Sequence, residues 1–184
     1  MEFPSRSGGL RLVEVPTADD GVEVLWGDQL EGLITILSVP VFAYGISKET
    51  LISAKPRGDR LRLLQVLQPS PGATLRVYAE PGVIASELYV GRILPDAARL
   101  GLGIGPSTFF DPEIVAFHVG DRGRLSLVTS YLDELAAERK LKFWELGDPP
   151  TSQSAIEESG PSEPPWELVH QLPTEGRAAL ATMH

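Results

Sequence analysis

The chain has 184 residues, 42% of them hydrophobic, no cysteine, and a formal net charge of -9 at pH 7. That length allows one ordinary domain or two small ones, and the apolar content is enough to bury a core over most of it. Disulfide frameworks, thiolate-held zinc and cysteine nucleophiles are excluded, and an acidic chain is repelled by phosphate backbones and anionic lipid, so neither nucleic acid nor membrane is an expected partner.

The N-terminal MEFPSRSGG lacks a basic segment followed by an apolar run, so no secretory signal is read there. No apolar stretch approaches the roughly 18 residues needed to cross a bilayer. A bacterial, cytoplasmic setting is expected. The first half then reads as short strands. Leu10 to Val15, Val22 to Trp26, Leu33 to Ser38, Leu51 to Ala54 and Arg60 to Leu67 are separated by turn signals at Ala18–Gly21, Gly27-Asp28, Pro40, Pro56–Asp59 and Pro69–Gly72. Short strands with regularly spaced turns predict a small barrel or a strongly bent sheet over residues 10–72.

From Thr74 the pattern changes. Leu75 to Ala79 alternates as a strand, and Val83 to Leu100 reads as a helix kinked or split near Pro95. Leu102 to Phe110 and Ile114 to Val119 are two strands joined at Asp111-Pro112. Arg124 to Lys140 is the clearest helix, with Leu125, Val128, Leu132 and Leu135 at spacings of three and four and Leu127 and Tyr131 widening the stripe. Leu141 to Leu146 closes as a strand. The order strand, helix, strand, strand, helix, strand over residues 73–147 is ferredoxin-like, so the fold class is α+β. Alternation places Leu75, Val77, Val115, Phe117 and Val119 under the helices. It sends Arg76, Tyr78, Ile114, Ala116 and His118 to an open face, joined by Trp144 or Phe143 according to register.

Residues 148–184 stand apart. From Asp148 onward there are six acids and one base, a net -5, and DPPTSQSAIEESGPSEPP is rich in Pro, Ser and Glu. Such a stretch reads as disordered. Beyond it Trp166, Leu168, Val169 and Leu172 form a short apolar cluster, either a docking motif or a segment that folds back on its own domain.

The VPVFAYGIS corner at 39–47, the apolar strand after it and Thr74-Leu75-Arg76-Val77 together resemble a bacterial family known only as a domain of unknown function. Its members carry an "IPF-aromatic-A-x-G-hydrophobic" corner and end in an aromatic-acidic strand, here Phe143-Trp144-Glu145. Lys48-Glu49 stands where the family usually has Gly-Asp. The resemblance covers residues 10–147; it implies the architecture and brings no known activity.

Candidate chemistry is sparse. Gly101-Leu102-Gly103-Ile104-Gly105-Pro106-Ser107 lacks both the spacing and the following helix of a dinucleotide fingerprint. His118, His170 and His184 have no partners at metal-ligand spacing. Ser126 or Ser130 with His118 lacks a nucleophile elbow. Glu157-Glu158 and Asp133-Glu134 do not set two acids across a cleft. No enzyme activity and no cofactor is expected. The residues best placed to bind are Tyr44, Arg76, Tyr78, His118, Trp144 and Trp166. The expected function is non-enzymatic protein binding, as an adaptor, a regulator or an immunity-type partner whose acidic surface masks a basic toxin site. The alternative is a small-ligand or nucleotide sensor on the ferredoxin-like open face; there a packing contact with the barrel or a homodimer is the plainer reading.

Overall fold

The computed structural model describes residues 9–147. The first half is a closed barrel of β1 (Gly9–Pro16), β2 (Val22–Leu30), β3 (Leu33–Ile36), β4 (Leu51–Arg57) and β5 (Arg60–Gln68), each paired with the next. All neighbours are antiparallel except the closing pair, where β1 and β5 run parallel at Val13–Leu61 and Glu14–Arg62. Alternation turns Val13, Val15, Leu25, Ile34, Ile36 and Ile52 inward, and these β-branched and leucine side chains fill the interior. β2 does not stop at Trp26 as the Gly27-Asp28 signal predicts; it runs to Leu30. Gly27 faces the interior, where a Cβ would lie 2.4 Å from Ile34 Cγ2, so this glycine serves close packing instead of a turn.

The second sheet has the order β7-β8-β6-β9, with β6 (Ala73–Ala79) and β8 (Ile114–Val119) at the centre and β7 (Ile104–Asp111) and β9 (Leu141–Leu146) at the edges. Leu75, Val77, Val115, Phe117 and Val119 all lie in one buried cluster with the helices, as alternation predicts. The first helical stretch is continuous but irregular. α1 (Ala85–Leu88) widens into a π turn at Tyr89–Ile93 before α2 (Leu94–Leu100). Pro95 accounts for the position of that break. It has no N–H, and its ring would collide with the carbonyl four residues back, so it falls in the first turn of a new α segment. The Leu94 N–H reaches the carbonyl of Tyr89 instead, five residues away. α3 (Leu125–Ala137) buries Val128, Tyr131, Leu132 and Leu135, whereas Leu127 is exposed and does not widen the stripe.

The connection from β3 to β4 belongs to both halves. Ala43 and Ile46 join the barrel core. Val39 and Val41 pack instead on Ala116, on the sheet face away from the helices. Phe42 is half-buried, packs against that Val39–Val41–Ala116 cluster and meets Phe110 edge to face at 4.5 Å. Among the described residues no helix is long and apolar enough to cross a membrane.

Candidate functional site

The sheet face that alternation leaves for Arg76, Tyr78, Ala116 and His118 is not open. The corner at 39–47 lies across it, and Arg76 and His118 keep 1% and 3% of their surface. The corner is held by directed contacts. Thr108 Oγ1 donates to the Val39 carbonyl at 2.9 Å, Ser47 and Thr74 hydroxyls meet at 2.9 Å, and the Gly45 N–H donates to the Gly147 carbonyl at 3.1 Å. Gly45 has φ +73°, a left-handed conformation that costs glycine little, and this lets the chain turn back there. On the barrel side, Glu23 of β2 reaches the same corner. Its carboxylate accepts the N–H groups of Val41, Phe42 and Ala43 at 2.7, 2.9 and 2.8 Å. Three convergent backbone donors form an anion nest, filled here by a side chain of the same molecule.

The charged centre of the interface is the pair Arg76 and Glu145, which face one another directly across β6 and β9. One oxygen of Glu145, Oε1, accepts three donors: Tyr44 OH at 2.9 Å, Tyr78 OH at 3.1 Å and Arg76 Nη1 at 3.2 Å. Arg76 Nη2 donates to the Ala43 carbonyl at 2.5 Å, and its guanidinium sits 4.2 Å from the centre of the Tyr44 ring. Phe143 stacks on Tyr78 with centroids 4.1 Å apart. Burial, then the charge of Glu145, pushes the Tyr44 phenol up to about 12, and the same causes raise Tyr78. Both phenols therefore stay protonated at neutral pH and act as donors to the carboxylate. They are not bases, and the cluster has no activated nucleophile.

Of the residues singled out from sequence, Tyr44, Arg76 and Tyr78 meet in this cluster. His118 lies buried elsewhere on the same face, paired across strands with Thr74 and packed close to Gly72. Trp144 does not join them. Its register partner is Val77, so it turns to the helix side and donates from Nε1 to Asp133 of α3 at 2.8 Å. Phe143 and Glu145 take the other face by the same alternation. Trp166 and the Pro/Ser/Glu-rich stretch lie outside the described residues. Glu145 and Glu23 were missed by sequence reasoning. Glu145 was within reach, since fixing the β6–β9 register puts it opposite Arg76. Nothing local marks Glu23, whose backbone N–H donors lie 18 to 20 positions away. Among the described residues, no group of three or more His, Asp or Glu is placed to hold a metal ion.

The chain belongs to the family described as "Domain of unknown function (DUF4265)", whose model matches residues 23–143. A solved structure of a hypothetical protein from Neisseria gonorrhoeae is similar, with a TM-score of 0.57 and 13% identity, covering 80% of this chain and 97% of that one. At that identity the likeness concerns the fold alone. No curated protein matches.

Proposed function

We propose that the protein is a non-enzymatic, protein-binding module of the bacterial cytoplasm, and that the patch of Tyr44, Phe143 and Glu145 receives a basic side chain of its partner. One observation carries this reading. While Glu145 Oε1 is saturated, Oε2 has no hydrogen-bond partner among the described residues, and the side chain is 25% exposed. Tyr44 and Phe143 beside it are 39% and 38% exposed. A fixed carboxylate oxygen rimmed by aromatic rings suits a guanidinium or ammonium, which gains a charge-assisted hydrogen bond and ring contact together.

The net charge of -9 favours a basic partner at encounter. The narrower form of the proposal is an immunity-type protein that masks a basic toxin site. We also infer a ferredoxin-like second module. Its support is the strand-helix-strand-strand-helix-strand order with β6 and β8 central.

The test is affinity capture from the native host with the full chain and with Glu145→Ala as parallel baits, both checked for folding by circular dichroism. A basic protein enriched by the first and lost by the second supports the proposal. Equal recovery by a folded Glu145→Ala bait removes the patch from it.

A further inference from the structure

Among the described residues, four cations gather on the outside of the barrel. In the β4–β5 hairpin Lys55 faces Arg62 and Arg57 faces Arg60. Directly opposed residues share a face, as do residues two apart on a strand, so all four cations stand on one side of the hairpin. It is the outer side, since Leu61 and Leu63 between them pack on the barrel core. Like charges set directly opposite are unfavourable unless a counter-charge lies between them. Among the described residues the one such acid, Glu14, stands opposite Arg62 in the β1–β5 register, but its carboxylate turns to the other pair. Glu14 of the neighbouring β1 reaches Arg57 at 2.7 Å and Arg60 at 3.8 Å. Lys55 and Arg62 are exposed and have no acidic partner within ion-pair distance among the described residues.

We propose that this hairpin is a docking surface for an extended acidic peptide segment of a partner protein, whose carboxylate bridges Lys55 and Arg62 as Glu14 bridges Arg57 and Arg60. An extended chain turns every second side chain to one face, so a single carboxylate meets Lys55 and Arg62 while the flanking residues run on along the hairpin. Next to Arg57 and Arg62 lies a groove of about 180 Å³ that includes Pro16 and Val22. Glu14 and Asp20 also border it, so it accepts an uncharged side chain of the peptide and leaves the carboxylates to the cations above. A nucleic-acid backbone would set its phosphates against Glu14 and Asp20 of that groove. The surface is separate from the Glu145 patch and opposite in sign, so the two together describe an adaptor.

The test is fluorescence anisotropy with the full chain and a labelled twelve-residue peptide alternating Glu and Ser. Binding that weakens with salt is expected, with about a tenfold loss in Lys55→Gln/Arg62→Gln, both exposed positions. Lys142→Gln, an exposed cation on β9, should leave it unchanged. No binding at low salt, an equal loss in Lys142→Gln, or tighter variant-sensitive binding of duplex DNA in place of the peptide overturns the proposal.

Discussion

On one face of the four-stranded sheet Leu75, Val77, Val115, Phe117 and Val119 lie under three helical segments, with no polar group needed to place them. On the other, Thr74, Arg76 and His118 lie under a loop that is held by named hydrogen bonds at Val39, Ala43, Gly45 and Ser47. Both faces are dry, but they are dry for different reasons. The helix face follows from apolar area removed from water, which is non-directional and large. The corner face depends on geometry, since a buried guanidinium is tolerable only while its acceptors stay in place. The corner face is therefore the one that can be specific, and it is also the one that ends in a partly exposed carboxylate.

The contrast can be broken at four points. Phe117→Ala removes a fully buried ring from the helix face and should cost about 3–5 kcal/mol in urea unfolding. Arg76→Ala should cost about 2–3 kcal/mol, less than a wholly buried pair because Glu145 is partly solvated. Arg76→Met, which restores volume without charge, should recover part of that loss; were the two equally unstable, packing and not charge would hold the corner. Glu23→Ala leaves three corner N–H groups without their acceptor, for an expected loss of about 2 kcal/mol. Hydrogen exchange at Val41, Phe42 and Ala43 should quicken at the same time, with β6 and β8 unaffected.

The smallest effect is Tyr44→Phe, which removes one donor from Glu145 and should cost under about 1 kcal/mol near neutral pH. Its signature is in the alkaline range. The folded phenol sits near 12 and the unfolded one near 10. The folded state therefore holds the proton more tightly, and the stability this supplies is complete below about pH 10 and lost as pH rises toward 12. Urea midpoints at pH 9 and pH 11 should differ less in Tyr44→Phe than in the parent; an unchanged difference would mean that Tyr78 alone carries the alkaline loss.

Much of this arrangement was legible in the sequence because it follows from period. Alternation in Leu75–Ala79 and Ile114–Val119 separates the two faces correctly, and spacing places α3. What period cannot supply is register between distant strands. Trp144 and Phe143 are interchangeable until β9 is aligned with β6, and that alignment decides that Glu145, not Trp144, meets Arg76. Nor does period report what covers a face. The corner reads as a turn, and as a turn it is correctly marked by Gly45; that its backbone would also close the sheet depends on Glu23, Thr74 and Thr108, which are remote in sequence. Gly27 misled for a related reason, since a glycine looks the same in sequence whether it bends the chain or makes room for Ile34.

Central to the proposed role is Glu145, one oxygen of which is held by Tyr44, Tyr78 and Arg76 while the other has no hydrogen-bond partner among the described residues. Titration of isotopically labelled protein with a short arginine-containing peptide, read by amide chemical shifts, tests it directly. Saturable shifts confined to Gly45, Phe143, Trp144 and Glu145, and absent in Glu145→Gln, are the predicted result. Shifts spread evenly over the acidic surface, or unchanged in Glu145→Gln, would contradict it.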